Sequence, residues 1–191
     1  MTKTATIDTS KGTIVADLFD TGPTSQGEGL LPIRLKPIQD TPTPSPNGVA
    51  GVVCARLHAL TEDARWAERR EQLVAAFAGG AAALGLHGAA YLLALDWQLN
   101  PPTHLVVTGA AGDSTAEAFH RAALAGFVPR RVIRRLLPES ADAPLPPPLR
   151  AMLRTGSEPR GYACRGLACS LPAESIDAWR ETLASLLPPR D

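Results

Sequence analysis

The stretch His104-Leu-Val-Val-Thr108 decides the fold class, because this short run rich in β-branched residues predicts a strand that ends at the turn Gly109 to Gly112. A helix is expected next, since Ser114-Thr115-Ala116-Glu117 has the pattern of a capping box and Gly126 is a typical helix end. Arg131 to Leu137 then reads as a second strand. Strand, helix and strand together predict a βαβ unit with a right-handed crossover.

Downstream of this unit, the sequence predicts a proline-rich linker and a closing helix. The linker covers Glu139 to Pro148. The closing helix has a clear apolar face before Pro188-Pro189. Its residues are Ile176, Trp179, Leu183, Leu186 and Leu187.

Upstream, the sequence predicts an αα-hairpin followed by a buried helix. Asn47 is expected to cap the first helix, and Thr61 with Glu62 and Asp63 to begin the second. Ala81 to Leu99 is apolar nearly all round, which predicts a helix buried between others and stopped by Asn100-Pro101-Pro102. The predicted stripes are Val49, Val53, Leu57 and Leu60 on the first helix, and Trp66, Leu73 and Phe77 on the second.

The first residues differ from the rest. Ala5 to Phe19 alternates apolar and polar residues around Ser-Lys-Gly, the pattern of a β-hairpin, and Asp20 to Asn47 is dominated by turn-forming residues. The chain is therefore expected to be mixed α and β and mainly helical. Three regions are predicted: an N-terminal β-hairpin over residues 1–19, a loop and helical hairpins over 20–100, and a small α/β segment over 101–191.

Composition excludes some classes of function. The 19 basic and 19 acidic side chains cancel to a formal charge of zero, so no general field attracts nucleic acid or an anionic membrane. We expect no apolar run long enough to span a bilayer and no secretory leader, hence a cytoplasmic protein. No nucleic-acid or membrane partner and no cofactor is predicted.

Cys164 and Cys169 lie in the stretch Arg160 to Pro172, separated by four residues. This is not the Cys-x-x-Cys spacing of thioredoxin-type exchange, and a zinc site would need a second pair of soft ligands, so no metal site is predicted. Three alternatives stay open: a disulfide across a tight turn, a redox-sensing dithiol, or two small buried residues.

Asp40-Thr-Pro-Thr-Pro-Ser45-Pro-Asn47-Gly48 holds a carboxylate, a hydroxyl and an amide pinned by prolines before a helix N-terminus. Such a turn can present polar groups into a cavity. The alternative is structural, with Asn47 capping the helix and Asp40 bonding to its own loop.

The remaining polar residues give weaker indications of a functional site. The four histidines, His58, His87, His104 and His120, are expected to be surface or core partners, not ligands or acid–base groups. Arg130, Arg131, Arg134 and Arg135 are expected to form a solvated sheet edge that discourages strand pairing.

Several short motifs, in this order and spacing, resemble the C-terminal part of the spermatogenesis-associated, thioredoxin-domain-containing proteins and their bacterial relatives. The resemblance runs from about Phe19 to Leu187. Its motifs are Phe19-Asp20-Thr21, Leu35 to Asp40, Pro44 to Gly48, Leu95-Asp96-Trp97 with Pro101-Pro102, Val106 to Gly109, Tyr162 to Cys164, and Cys169 to Pro172.

The resemblance implies part of an (α/α) toroid similar to six-hairpin glycosidases and N-acylglucosamine 2-epimerases, without the family's thioredoxin domain and early hairpins. Asp40, Ser45 and Asn47 would line the toroid mouth, and Cys164 and Cys169 would be a structural or redox pair. The implied function is carbohydrate-related and not catalytic in this chain alone. A partial ring leaves apolar helix faces exposed, so a homo-oligomer or the missing domains are the expected partners. The alternative is a self-sufficient thiol-redox enzyme or sensor that uses the two cysteines.

Overall fold

The N-terminal strands pair as predicted. In the computed structural model, which describes residues 3–9, 12–18, 37–142, 145–153, 158–166 and 168–187, β1 (Lys3–Thr9) and β2 (Gly12–Leu18) form an antiparallel pair. Residues 19–36, which comprise Phe19 of the predicted hairpin and most of the predicted loop Asp20 to Asn47, lie outside the described residues. The chain divides into two compact units, Met1–Pro37 and Ile38–Asp191.

Three helices begin the second unit: α1 (Pro46–Thr61), α2 (Ala64–Ala81) and α3 (Ala89–Leu99). Helices α1 and α3 pack unusually closely. A Cβ placed on Gly48 would lie 2.6 Å from Cβ of Ala90, and one on Gly51 would lie 2.6 Å from Cβ of Ala94. Because both series of contacting residues ascend together, α1 and α3 run parallel.

The predicted apolar stripe of α1 is wrong. Val49, Val53 and Leu60 are 45%, 40% and 42% exposed, whereas the buried side of the helix carries small residues. The reason is the close approach to α3, which leaves no room for a Cβ at Gly48 or Gly51. The small buried residues of α1 are Gly48, Gly51, Cys54, Ala55 and Ala59.

The predicted single buried helix over Ala81 to Leu99 is also wrong. A 3-10 segment, Ala82–Gly88, precedes α3, and it is interrupted at Gly85, whose φ of 53° lies in the region that favours glycine. Tyr91 and Ala94 are buried, but Leu93 is 57% exposed. One side of α3 therefore packs on α1 and α2, and the other carries exposed leucines.

The second half of the unit is built on a four-stranded mixed sheet in the order β4-β3-β5-β6. Strands β3 and β4 were both predicted from the sequence, and they pair in parallel. Strands β3 and β5, and β5 and β6, pair antiparallel. The bounds are Thr103–Thr108 for β3, Arg131–Leu136 for β4, Arg160–Arg165 for β5 and Ala168–Cys169 for β6.

Helices α4 (Ser114–Ala125) and α6 (Ile176–Ser185) cover one face of the sheet. Trp179 is fully buried and stacks on Phe119 with 6.4 Å between ring centroids, and its indole Nε1 donates a hydrogen bond to the carbonyl of Phe119 at 3.0 Å. Gly161 makes room for the indole, since a Cβ there would lie 2.7 Å from the ring. The closing helix is as predicted. Of its predicted apolar face, Ile176, Trp179, Leu183 and Leu186 pack in the core of the sheet, whereas Leu187 is 38% exposed.

The other face of the sheet packs on α5 (Pro147–Leu153), a helix that begins inside the predicted linker. A 3-10 turn, Pro138–Asp142, precedes it. The face is apolar at its centre. Its buried residues are Val106, Leu136, Leu149, Met152, Tyr162 and Cys164.

The cluster of arginines is not the solvated edge that we predicted. Arg130 forms an ion pair with Asp96 at 2.6 Å, and Arg135 forms one with Glu117 at 2.9 Å. Arg134 donates to the carbonyls of Ala59 at 2.9 Å and of Leu60 at the end of α1. The arginines thus tie the edge strand β4 to neighbouring helices.

The region Ala64–Leu99 contains an apolar window long enough, by length and composition, to cross a membrane. This differs from the sequence expectation. The same property is found in core helices of soluble proteins, so it is weak evidence for a membrane. In this structure the region is divided into α2, the 3-10 segment and α3.

Candidate functional site

Asp40 joins the N-terminal ends of two parallel helices. Its Oδ1 accepts a hydrogen bond from the backbone N–H of Ser45 at 2.7 Å, and its Oδ2 accepts one from the N–H of Ala90 at 2.9 Å. Its own N–H donates to the carbonyl of His87 at 2.7 Å. The loop before α1 is thereby fastened to the beginning of α3.

The electrostatics of this clamp favour a charged carboxylate. The hydrogen bond from Ala90, followed by that from Ser45, holds the pKa of Asp40 below its ordinary value. Unpaired backbone N–H groups and the positive end of the macrodipole at helix N-termini stabilise an anion in the same way. Both carboxylate oxygens are engaged, so Asp40 acts first as a link between two helices.

Ser45, not Asn47, caps α1. The Oγ of Ser45 accepts a hydrogen bond from the N–H of Gly48 at 3.1 Å, with Pro46 at the first helical position. Asn47 lies within the first turn and is 7% exposed. The predicted mouth residues Asp40, Ser45 and Asn47 do come together at one end of α1, but Ser45 and Asp40 use their oxygens to hold the turn.

Cys164 and Cys169 form a disulfide, so they are not two separate buried thiols, while a structural and a redox role of the pair both stay open. The two cysteines are directly opposite each other on β5 and β6. Cys164 is 8% exposed, and Cys169 is exposed. The two sulfurs of the bond therefore belong to residues with very different access to solvent.

His104 belongs to the same row of the sheet. It is directly opposite Cys164 in the register of β3 and β5. Residues that are opposite each other in an antiparallel pair point to the same face, with Cβ atoms about 4.5–5.5 Å apart. Sequence reasoning missed this neighbour, because only the strand register brings position 104 next to position 164.

The His104 imidazole is kept neutral. Burial lowers its pKa, the charge of Arg134 lowers it further, and Glu62 opposes both effects. Burial also lowers the pKa of Arg134 itself. At neutral pH, His104 is therefore a base with a free lone pair, not a cation.

The third cysteine, Cys54, is a buried thiol on α1. Burial raises its pKa, so it is the poorly reactive kind of cysteine. Within the described ranges, no group of three or more His, Cys, Asp or Glu side chains is arranged to hold a metal ion.

A groove of about 570 Å³ lies between α4 and α6. Its walls are mainly apolar and include Phe127, which is 76% exposed. The two arginines of its lining are already engaged on their own helices: Arg180 pairs with Asp177, and Arg121 donates to the carbonyl of Glu117. The groove thus offers apolar contact and few uncommitted polar groups.

The structure therefore presents two polar constellations, the Asp40 clamp and the disulfide with His104. Comparisons with models of protein families, with curated proteins and with solved structures give no match for this chain.

Proposed function

We propose that α1, α2 and α3 are an arc of an (α/α) toroid, followed by a βαβ unit made of β3, α4 and β4. In this proposal the protein is a partner-dependent member of the carbohydrate-related, thioredoxin-domain-containing family that its motifs resemble, and it is not catalytic alone. The observation that carries the proposal is the parallel packing of α1 on α3. Two parallel neighbours joined by a helix of opposite direction are the repeating unit of such a ring.

The course of α2 supports this arrangement. Gly51 of α1 faces both Leu73 of α2 and Ala94 of α3. Because only two residues separate the end of α1 from the start of α2, the two helices are antiparallel. The hydroxyl of Tyr91 donates to the carbonyl of Val74 at 2.9 Å, which joins α3 to α2.

The Asp40 clamp supports a mouth at the N-terminal end of this arc. In a toroid with parallel inner helices, the N-termini of α1 and α3 open on the same side of the ring. Asp40, Ser45 and Asn47 are placed there, and the two engaged oxygens of Asp40 hold the rim of the mouth in shape. A sugar would then meet the rim through hydrogen bonds and not through a free catalytic carboxylate.

Exposed apolar side chains on α1 and α3 support a need for partners. Among the described residues, Val49 and Val53 of α1 and Leu92 and Leu93 of α3 are between 40% and 57% exposed. Exposed apolar surface can mark an interaction surface in soluble proteins, and these four side chains supply such surface on the two helices of the proposed arc. In a ring the neighbouring helical hairpin covers it, and in the purified chain a second copy is the available substitute.

The proposal is tested by the molar mass of the chain in solution, measured by light scattering after size-exclusion chromatography. We expect assemblies heavier than the 20.1 kDa chain, and a shift toward monomer in the double variant Val49→Ser, Val53→Ser. Leu171→Ser is the matched control, because Leu171 is 88% exposed but lies in the sheet half. A monomer with one cooperative unfolding transition would contradict the arc, and so would uptake by lipid vesicles in place of self-association.

The mouth is tested separately by a binding screen against sugars. We expect Asp40→Asn to weaken any binding that is found, because it loosens the rim. Sugar binding unchanged in Asp40→Asn would remove the mouth assignment while leaving the arc intact.

A further inference from the structure

The disulfide is the feature of this fold that the proposed toroid arc does not use. Cys169, Cys164 and His104 follow one another across β6, β5 and β3 in a single row of the sheet. Their side chains share one face, and Val132 of β4 completes the row. A bond that can be reduced therefore lies beside a neutral base.

The disulfide is not needed to hold its own segment in place. Beyond Cys169, the N–H of Ser170 donates to the carbonyl of Ala163 at 2.8 Å, and the Oγ of Ser170 accepts from the N–H of Ala163 at 3.1 Å. Gly161 and Ala173 exchange two further backbone hydrogen bonds at 3.0 and 2.8 Å. These four bonds fasten the segment to β5 whether or not the sulfurs are joined.

The bond is also approachable from one side only. Cys169 is exposed on an edge strand of two residues, whereas Cys164 packs in the apolar face beneath α5. In thiol–disulfide exchange the rate depends on which sulfur can be reached and on how well the other leaves. An incoming thiolate therefore meets Cys169, and Cys164 is the leaving group.

His104 is suited to the proton that Cys164 must exchange. Within the part of the chain that the structure describes, the imidazole of His104 makes no hydrogen bond. The charged groups that act on it are Arg134 from β4 and Glu62 from the end of α1, and burial is the largest influence on its pKa, which is lowered. A neutral imidazole opposite a buried thiol can accept that thiol's proton.

We propose that Cys164–Cys169 is an exchangeable disulfide, a thiol–disulfide exchange site for dithiol reductants and small disulfides, in which Cys169 is attacked, Cys164 is the resolving thiol and His104 is its neighbouring base. In reduction, one thiolate of a dithiol attacks Sγ of Cys169, the S–S bond breaks and Cys164 leaves and takes up a proton. The second thiolate of the reductant attacks the mixed disulfide at the reductant's own sulfur, which frees Cys169. The reductant loses two electrons and becomes a disulfide.

Oxidation by a small disulfide follows the same path in reverse. The thiolate of Cys169 attacks glutathione disulfide and releases one glutathione. His104 then accepts the proton of Cys164, whose thiolate attacks Sγ of Cys169, closes the protein disulfide and releases the second glutathione. This inference is independent of the toroid arc, because it needs only the described sheet.

The experiment measures exchange in the full chain carrying Cys54→Ala, which removes the third thiol. The oxidised protein is treated with dithiothreitol without denaturant, and reduction is followed by thiol labelling and mass spectrometry beside far-ultraviolet circular dichroism. We expect reduction with no change in helix content. Reduction that occurs only at urea concentrations that unfold the protein would overturn the proposal, and this measurement needs no substitution at Cys164 or Cys169.

The direction of attack is tested with glutathione disulfide. We expect Cys164→Ser to trap a mixed disulfide at Cys169, and Cys169→Ser to react at least about tenfold more slowly at Cys164 because that thiol is buried. Equal rates in the two variants would refute the assigned order of attack.

The base is tested by the pH profile of ring closure, the step from mixed disulfide to protein disulfide. We expect His104→Gln to slow closure about tenfold or more near neutral pH and to make the rate rise with pH as a free thiol does. His120→Gln is the matched control, because His120 is half-buried on α4 at the other face of the sheet. A pH profile of His104→Gln equal to that of the control would remove His104 from the mechanism.

Discussion

The contact between α1 and α3 and the core of the sheet half bury opposite kinds of side chain. Between α1 and α3 the contact consists of Gly48, Gly51 and Ala94, while Val53 and Leu93 face outward. Around the sheet, Phe119 and Trp179 are fully buried together with the centre of β3. The difference shows two ways of packing. The core of the sheet half is filled by large side chains, and the contact between α1 and α3 brings two helix backbones close together.

The two halves also differ in how well their apolar surfaces are covered by other elements. The sheet has helices on both faces, and Phe119, Trp179 and the centre of β3 are fully buried between them. The helical half buries Tyr91 and Trp97 but uses small residues where α1 meets α3, and it leaves Val49, Val53, Leu92 and Leu93 exposed. A dense core is therefore expected of the sheet half, although Val132 of β4 also packs against Ala55 and Trp97 of the helices. A dependence on further neighbours is expected of the helices.

The largest effect should come from the sheet core. Trp179→Ala removes a fully buried indole and its hydrogen bond to the carbonyl of Phe119. The free energy of unfolding should fall by about 3–5 kcal/mol, the usual range for such a truncation. Urea denaturation followed by circular dichroism measures it.

The matched change is Trp66→Ala, in a half-exposed tryptophan on α2. We expect a clearly smaller loss there. Equal losses for the two tryptophans would mean that the helical half is as densely packed as the sheet half.

A middle-sized effect tests the close packing of the helices. Gly51→Ala puts a methyl group 2.6 Å from Cβ of Ala94, so we expect a loss of about 1–3 kcal/mol in the free energy of unfolding although alanine favours helices. Gly79→Ala, in α2, meets no atom within 4 Å. That variant should gain about 0.5–1 kcal/mol.

Thermal denaturation of both glycine variants under one buffer condition gives the signs directly. A stabilising Gly51→Ala would show that α1 and α3 do not approach each other as described.

The smallest effect concerns the acid sensitivity of the helical half. Because the folded pKa of Asp40 lies below the ordinary value of 3.8, its contribution to stability is complete above that value and is lost as pH falls through the folded pKa. Asp40→Asn should lower the melting temperature at pH 7 and flatten its decline below about pH 4.

Asp177→Asn is the comparison for Asp40→Asn, since Asp177 pairs with exposed Arg180 on α6. It should change the melting temperature little at either pH. If the melting temperatures of Asp40→Asn and Asp177→Asn depended on pH in the same way, the Asp40 clamp would not contribute to stability.

Local sequence patterns were sufficient to predict most elements of the sheet half. Strands β3 and β4 and helices α4 and α6 were predicted close to their observed bounds, because each has a strong apolar period and clear breakers. The start of α4 was predicted one residue too late. Asp113, not Ser114, is the cap, and its Oδ1 accepts hydrogen bonds from the backbone N–H groups of Thr115 and Ala116 at 2.8 and 2.9 Å. Either residue type can cap, so the sequence alone does not choose between them.

The helical half was harder to predict for a physical reason. A stripe of glycine and alanine carries little hydrophobic signal, so the pattern selected Val49, Val53 and Leu60, which are exposed. The site was only partly predictable for another reason. Asp40, Ser45 and Asn47 are close in sequence, whereas the link from Asp40 to Ala90 and the row from Cys164 to His104 depend on pairings between distant segments.

The arginines of β4 have a consequence for modularity. A boundary between residues 100 and 101 was predicted, yet Arg130 holds Asp96 on one side of it, and Arg134 holds the last carbonyls of α1. Separating the chain there would leave the end of α1 without its donor, Arg134 without its two carbonyl acceptors and Arg130 without the carboxylate of Asp96. The helices and the sheet are therefore expected to be inherited and transplanted as one piece, and a gene fusion that exchanges either half would have to bring its own arginine partners.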